Sequence, residues 1–266
     1  MDVAEIVKGH YGGRDLEGSI IGALAVAGVD IDALTVADLS AVDELHAGGL
    51  PATEHLLTQL DLGSGSRLLD VGCGIGGPAR VAGARGSQVT GIDLTPEFVA
   101  TATALTDRVR LSGRVTFETT SAESLRFADG SFDRAMMIHV GMNLPDKSAT
   151  FAEVRRVLRT GGRFGLFEQI RVRDGDLPYP LPWADDDSSS FVETLEEYVA
   201  ALEAAGFAVT LTQDRTGAVA GPPAGGDARL GPEVVFGPDF VDRLQNNIAA
   251  TRAGLLAPIL VVVEAV

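Results

Sequence analysis

Cysteine and lysine are scarce in this chain of 266 residues. The single cysteine, Cys73, excludes an intramolecular disulfide and a metal site built from several cysteines. Only two of the 21 basic residues are lysines, and the 37 acidic residues bring the formal net charge to −16. Because contacts to phosphate groups need a basic surface, this charge disfavours nucleic acid and anionic membranes as partners.

The chain also lacks long apolar runs and recognisable metal motifs. Its N-terminal sequence has no apolar signal-peptide core, and the apolar stretch 255–266 is too short to span a bilayer. The four histidines show no HExxH-like spacing. The acidic run Asp185–Asp187 is interpreted as a solvated turn, so no metal is predicted. We therefore expect a cytoplasmic protein with a small-molecule partner, and with neither nucleic acid nor a membrane as partner.

Strand and helix patterns alternate from residue 66 onward. Such alternation predicts βαβ units in a mostly parallel sheet with helices on both faces. The expected architecture is an α/β, doubly wound, seven-stranded sheet of the Rossmann-like type. The predicted strands are Arg67–Val71, Gln88–Leu94, Arg114–Thr120, Phe132–Val140, Arg163–Ile170, Phe207–Gln213 and Pro258–Val266.

The remaining segments predict a helical cover and a few loops. Residues 1–60 have helical patterns, and Thr194 with Glu197 forms a capping box that predicts a helix start. The stretch 217–237 is rich in glycine and proline and predicts a surface loop. We predict a single domain, 1–266. Its parts are a helical cover (1–62), a cofactor-binding core (63–170) and an acceptor-side segment with the closing strands (171–266).

Glycines cluster directly after the first predicted strand, where Leu68–Gly77 reads LLDVGCGIGG. Glycine permits positive φ and lets backbone N–H groups approach a ligand closely. Gly72, Gly74 and Gly77 fit the GxGxxG pattern of dinucleotide sites, and Asp93 ends the next strand. An acidic residue there binds a ribose diol in NAD and in S-adenosylmethionine alike. The glycines and Asp93 therefore indicate an adenosine ligand without choosing between these cofactors.

The aspartate before the glycines favours a cationic ligand. Asp70 would repel a pyrophosphate, whereas it suits the ammonium and sulfonium groups of S-adenosylmethionine. The stretch Asp70–Gly76 resembles the first motif of class I S-adenosylmethionine-dependent methyltransferases. Further motifs match in order, and together they cover about residues 66–170. The N-terminal helices and the segment around Trp183 resemble small-molecule members, such as sarcosine/dimethylglycine and tocopherol methyltransferases, more loosely. The further motifs are Gly91–Leu94, Ser121–Glu123, Gly130–Asp133 and Val154–Gly162.

This resemblance implies a set of cofactor-binding residues. The cofactor would be S-adenosylmethionine, with S-adenosylhomocysteine as product. Its methionine moiety would lie on Asp70, Gly72, Cys73, Gly74 and Gly76. The ribose would lie at Asp93 and Leu94, the adenine at Ser121, Ala122 and Glu123, and Tyr11 would belong to a lid.

The acceptor side is predicted from residues at strand ends and in later loops. His139 follows the fourth strand, where ligands gather in open α/β sheets, and an imidazole titrates in the range suited to a general base. We predict His139 as catalytic and cofactor-contacting. Asn143, Glu168 and Trp183 are predicted to bind the acceptor, and His46 lies in a further glycine-flanked break.

The predicted activity is methyl transfer to the oxygen, nitrogen or carbon of a small molecule, in bacterial specialised metabolism. Two alternatives stay open at this point. The glycine pattern permits a nicotinamide dehydrogenase, although the later motifs do not support one. The fold also permits a cyclase or isomerase that binds the cofactor without transferring its methyl group.

Overall fold

The computed structural model describes residues 15–219 and 230–266. Seven strands form one sheet in the order β3-β2-β1-β4-β5-β7-β6, in which only β7 runs antiparallel to its neighbours. This confirms the predicted doubly wound, mostly parallel sheet. The strands are β1 (Arg67–Val71), β2 (Gln88–Asp93), β3 (Val115–Thr119), β4 (Phe132–Ile138), β5 (Leu158–Arg171), β6 (Phe207–Asp214) and β7 (Leu256–Ala265).

Helices cover both faces of the sheet, and three of those in the described residues precede β1. Among the described residues they are α1 (Leu16–Val26), α2 (Val36–Asp43), α3 (Gly49–Gln59), α4 (Gly77–Ala84), α5 (Pro96–Arg108), α6 (Lys147–Val157), α7 (Leu195–Ala204), α8 (Thr216–Val219), α9 (Glu233–Phe236) and α10 (Phe240–Arg252). The predicted capping box opens α7, where the backbone N–H of Thr194 donates to Glu197 Oε2 over 2.7 Å. In the described part of the chain, no helix has the length and apolar character needed to cross a membrane.

Alternate residues of the central strands pack against helices on opposite faces. On one face, α6 and α7 bury Phe151 and Tyr198 against the sheet. On the other face, Leu56 of α3 and Ala82 of α4 pack on Leu68. A third apolar cluster joins α1 to α5. The carboxyl ends of the parallel strands β1, β2 and β4 consequently meet at one edge, framed by helices.

Two local predictions differ from the structure. β5 begins at Leu158 rather than at Arg163, because Leu158 already pairs with Phe132 of β4, ahead of a register shift between the two strands. The loop predicted for 217–237 is wrong at both described ends of this segment, because Thr216–Val219 and Glu233–Phe236 are helical. For Glu233–Phe236 the physical reason is burial, since Val235 packs into the same apolar cluster as α1.

Candidate functional site

A cavity of about 440 Å³ opens at the carboxyl ends of β1, β2 and β4. The sheet topology explains its position, because loops after parallel strands converge at this edge. Most of the site residues predicted from the sequence lie around it. These are Asp70, Gly72, Cys73, Gly74, Asp93, Leu94, Ser121, Ala122, Glu123, His139 and Asn143.

Glycines of the loop after β1 form one wall of the cavity. Gly72 has a φ of 70°, and a Cβ there would collide with the Val140 side chain. Gly74 has a φ of 52°, and no heavy atom lies within 4 Å of the position where its Cβ would stand. Gly74 lines the cavity, and the space that a side chain would occupy there is empty of protein atoms.

The structure adds to the prediction for two residues of this loop that are expected to bind the cofactor, Gly76 and Cys73. Gly76 does not line the cavity: it precedes α4 with a φ of 83°, and a Cβ would lie 2.6 Å from the Phe117 ring. Position 76 therefore requires glycine, because a side chain there would collide with Phe117 of β3. Cys73 lines the cavity, and burial raises the pKa of its thiol well above the usual value. The thiol is therefore protonated and has little nucleophilic character.

Asp93 fixes the glycine loop to the end of β2. Its Oδ2 accepts the backbone N–H of Gly74 over 3.0 Å, and Oδ1 accepts the N–H of Thr95 over 2.9 Å. Burial raises the pKa of Asp93, while these hydrogen bonds act in the opposite direction. The carboxyl group thus has a structural function in the loop, and Asp93 also lines the cavity.

Asp70 brings an unsatisfied carboxylate oxygen to the same cavity. The residue is 2% exposed, and its Oδ2 has no hydrogen-bond partner among the described residues. Burial raises the pKa of Asp70 to about 8, and the charges of Asp93 and Glu44 raise it further in the same direction. A buried carboxylate in this state gains from a cation placed beside it.

A buried ion pair holds the helical cover against the glycine loop. Arg80 of α4 donates to Asp43 Oδ2 over 2.6 Å and to the carbonyl oxygen of Ile75 over 2.7 Å. Both charged side chains are almost completely buried, and Asp43 itself lines the cavity. Asp43 could not be predicted as a site residue from the sequence, because an acidic residue at the end of a helix belongs to no recognisable motif.

His46 forms the wall opposite the glycine loop. Its Nε2 lies 2.9 Å from Glu44 Oε2 and 3.0 Å from Thr53 Oγ1, while Nδ1 lies 3.1 Å from the carbonyl oxygen of Ala47. Both ring nitrogens are therefore occupied by protein groups. His46 shapes the cavity without offering it a nitrogen.

His139 also lines the cavity, and one of its ring nitrogens has no protein partner in the described structure. Its φ of 54° is unusual for a residue with a side chain, and its backbone N–H donates to the carbonyl oxygen of Phe167 over 2.8 Å. The Nε2 atom is buried without a partner in the described structure. Burial, together with nearby His46, lowers the pKa of His139 to about 3. The imidazole is consequently neutral at physiological pH and serves better as a hydrogen-bond acceptor than as a strong base.

Two predicted acceptor-binding residues do not reach the cavity. Glu168 is 1% exposed, and its carboxylate accepts the backbone N–H groups of Val140 and Gly141 instead. Trp183 packs in a separate apolar cluster, and its Nε1 donates to Ser190 Oγ over 2.9 Å. The predicted lid residue Tyr11 lies outside the described residues.

Several aromatic and apolar residues complete the cavity. Phe98 of α5 and Phe236 of α9 line it, and Leu45, Leu144 and Pro145 add apolar surface. Phe236 escaped the sequence analysis because it lies in a stretch dominated by glycine and proline. Among the described residues, no group of three or more His, Cys, Asp or Glu side chains is arranged to hold a metal ion.

The position of Trp183 gives a first prediction. Trp183→Phe is expected to lower stability by about 1 kcal/mol, because it removes one hydrogen bond and leaves a small void. The affinity for any ligand of the cavity is expected to stay unchanged. Thermal unfolding and calorimetric titration measure the two effects, and a large loss of affinity would contradict this placement.

A family model matches the segment that contributes most of the cavity lining. The family model described as methyltransferase domain matches residues 69–166. The methyltransferase GfsG of Streptomyces halstedii is 38% identical over 137 residues, which are 50% of this chain and 48% of that protein. The chain thus spans about half the length of such curated relatives.

Solved structures share the complete fold. The [4+2]-cyclase SpnF superposes with a TM-score of 0.68 at 21% identity, covering 100% of this chain and 97% of the other. Geranyl diphosphate C-methyltransferase from Streptomyces coelicolor A3(2), crystallised with S-adenosyl-L-homocysteine, gives a TM-score of 0.73 at 17% identity. That match covers 100% of this chain and 99% of the other. At these identities the structures show the fold alone. Together with the family match, they confirm the resemblance predicted from the sequence.

Proposed function

We propose that this chain, whose residues 69–166 form a methyltransferase domain of the class I S-adenosylmethionine-dependent type, transfers the methyl group of that cofactor to a small-molecule acceptor. The observation that carries the proposal is the cavity. It combines an open glycine loop, a buried unpaired carboxylate oxygen and a neutral imidazole at one edge of the sheet.

The residues present fit S-adenosylmethionine. Asp70 Oδ2 is a buried oxygen without a partner, which matches a positively charged ligand. The open space beside Gly74 admits a ligand that a Cβ would displace. Asp93 and the segment 121–123 line the cavity beside this loop, which is the arrangement proposed for the ribose and the adenine. The site residues stay proposals until binding is measured.

When bound, the cofactor supplies a methyl group that is already activated by its sulfonium charge. The chain then has two functions: it aligns the acceptor and it excludes water. Apolar side chains, among them Phe236 and Leu144, line the cavity. The unpaired Nε2 of neutral His139 favours an acceptor with an O–H group, which donates to this nitrogen and is held by it. When the oxygen takes the methyl group its O–H bond breaks, and the proton is released to water, since an imidazole with a pKa of about 3 does not retain it. We therefore favour a hydroxyl oxygen over nitrogen or carbon.

Calorimetric titration with S-adenosylmethionine and S-adenosylhomocysteine tests the cofactor assignment. Saturable binding of both is expected, and the absence of heat at millimolar ligand would remove the proposal. Transfer is then tested with methyl-labelled cofactor and a set of hydroxylated, amine and carbon-acid acceptors. Label in an ether product supports the hydroxyl assignment, whereas label on nitrogen or carbon contradicts it.

A cyclase is the second candidate, because SpnF shares the fold over the full chain. In that case the cofactor binds and the acceptor rearranges, but no label moves. The labelled-cofactor experiment separates the two functions. A dehydrogenase is disfavoured by the family match, and no increase of NADPH or NADH fluorescence on mixing is expected.

The contribution of His139 gives a further prediction. His139→Phe keeps a ring of similar shape and removes the nitrogen, so methyl transfer is expected to slow by about tenfold, the effect of one neutral hydrogen bond. Because the pKa of His139 is lowered to about 3, the wild-type rate is expected to show no inflection from this histidine between pH 5 and pH 9. An inflection that disappears in His139→Phe would instead identify His139 as a base that titrates in this range.

Other parts of the proposal rest on the sequence. A place in bacterial specialised metabolism agrees with the Streptomyces relative. The cytoplasmic location, the single-domain organisation with its three parts, and the exclusion of nucleic acid by the charge of −16 stay predictions.

A further inference from the structure

The carboxylate of Glu168 lies behind the loop that joins β4 to α6. It is buried at 1% exposure, and both oxygens face the backbone of that loop. The N–H of Val140 donates to Oε1 over 3.2 Å and to Oε2 over 3.1 Å, and the N–H of Gly141 donates to Oε2 over 3.1 Å. Two consecutive N–H groups of the loop thus end on one side chain, and their hydrogen bonds are charge-assisted in its ionised form.

The residues held by these bonds belong to the cavity. Val140 lines it, and its side chain occupies the position that a Cβ on Gly72 would need. His139 precedes Val140 and has the strained φ of 54° that brings its ring to the cavity. A shift of the Val140 backbone would therefore disturb both the glycine loop and the unpaired nitrogen of His139.

The far end of the same loop is fixed independently. Lys147 is buried and donates from Nζ to the carbonyl oxygens of Leu144 over 3.2 Å and of Phe191 over 2.8 Å. It also pairs with Glu193 over 3.1 Å. Between this anchor and the bond from the His139 N–H to the Phe167 carbonyl, the N–H groups of Val140 and Gly141 are held by Glu168.

We propose that Glu168 is a positioning residue, which holds the N–H groups of Val140 and Gly141 and thereby sets Val140 against the glycine loop and His139 in the cavity. Its importance for ligand binding rests on the proposed function, whereas its hold on the loop does not. Burial raises the pKa of Glu168 to about 8, while the two backbone bonds act in the opposite direction. The carboxyl group is thus kept at an energetic cost, as expected of a group with a specific task.

The chain offers a matched control in the next residue of β5. Gln169 is 2% exposed, points to the opposite face of the sheet, and its Oε1 has no partner among the described residues. Glu168→Leu and Gln169→Leu therefore remove polar groups of similar size and burial from the same strand. Only the first change affects the 139–141 backbone.

Amide hydrogen exchange in the ligand-free protein is the primary test. Glu168→Leu is expected to accelerate exchange at Val140 and Gly141 by about 10- to 100-fold relative to the rest of the sheet. It is also expected to move the imidazole signals of His139 and to raise the Kd for S-adenosylhomocysteine about tenfold. Gln169→Leu is expected to change the Tm without these local effects.

Glu168→Gln is a second variant for the same measurement, to be used if Glu168→Leu does not fold. Its amide retains one acceptor oxygen but turns a donor toward the loop, so an intermediate acceleration is expected at the same two N–H groups. Exchange at Val140 and Gly141 that follows only global stability, or equal local effects in Gln169→Leu, would overturn the proposal. If the wild-type protein binds neither cofactor form, the proposed function fails while the exchange result still decides the hold on the loop.

Discussion

Gly74→Ala is expected to weaken the binding of S-adenosylmethionine by about 10- to 100-fold while the fold stays intact. The reason is geometric. No heavy atom lies within 4 Å of the position where the new Cβ would stand, so the methyl group meets no protein atom. It fills the side of the loop from which a bound cofactor would contact the backbone. The substitution therefore removes space from the ligand rather than from the core.

A backbone penalty accompanies this change and must be separated from it. Gly74 has a φ of 52°, and a residue with a Cβ in this region destabilises the folded protein by about 1 kcal/mol. Gly161 supplies the matched control, since its φ is 71° and its Cβ position is equally empty. Gly161→Ala should lower stability by a similar amount and leave the Kd unchanged.

Calorimetric titration and thermal unfolding of the two variants decide the question. A Kd for Gly74→Ala within twofold of the wild-type value would show that the glycine loop does not approach the cofactor. Equal losses of affinity in both variants would attribute the effect to stability. Gly74→Val, with a larger side chain, should weaken binding further than Gly74→Ala.

Much of the core of the fold and of the candidate site could be predicted because local sequence determines it. The stretch Leu68–Gly77 is a buried strand followed by glycines at positions that need positive φ, and both requirements are visible in the residues themselves. The positions of Asp70 and Asp93 in the site could be predicted for the same reason, because each residue lies at the end of a strand. Strand ends of a parallel sheet meet at one edge whatever the details of packing.

Contacts between distant segments could not be predicted in this way. Glu168 and His139 both lie at the same edge, yet which way the Glu168 side chain turns depends on the N–H groups that it meets in the folded loop. Trp183 was assigned to the acceptor because prolines flank it, but tertiary packing placed it in another cluster. Asp43 and Phe236 reach the cavity from helices whose docking no local pattern describes.

Affinity for S-adenosylmethionine is expected to fall as the pH falls below 8, and Asp70→Asn is expected to remove this dependence. Burial, then Asp93 and Glu44, raise the pKa of Asp70 to about 8 in the ligand-free protein. A cation beside the carboxylate favours its ionised form, so binding releases a proton at lower pH. The affinity then decreases by up to about tenfold per pH unit below the pKa. At pH 8.5 the variant should bind about 10- to 100-fold more weakly, because it loses a charge-assisted interaction.

The same raised pKa fixes the sign of the effect on stability. An acid whose pKa is higher in the folded than in the unfolded protein stabilises the fold at low pH, and this contribution is lost as the pH rises toward 8. Asp70→Asn is neutral at every pH, so the ligand-free variant should be more stable than the wild-type protein near pH 8. Opposite signs for stability and binding distinguish a ligand-directed carboxylate from one that only supports the fold.

Two comparisons assign the pH dependence to Asp70. The pKa of Glu168 is also raised to about 8, so a slope that persists in Asp70→Asn would identify Glu168 or another group as its source. Asp133→Asn is the control for a change of carboxylate to amide, because Asp133 pairs with Arg67 and Arg159 and its pKa is lowered to about 2. Titrations at pH 6, 7 and 8, each in two buffers of different ionisation enthalpy, should show proton release in the wild type and in Asp133→Asn, but not in Asp70→Asn. Affinity independent of pH in the wild type would mean that the Asp70 carboxylate does not meet the cationic groups of the cofactor.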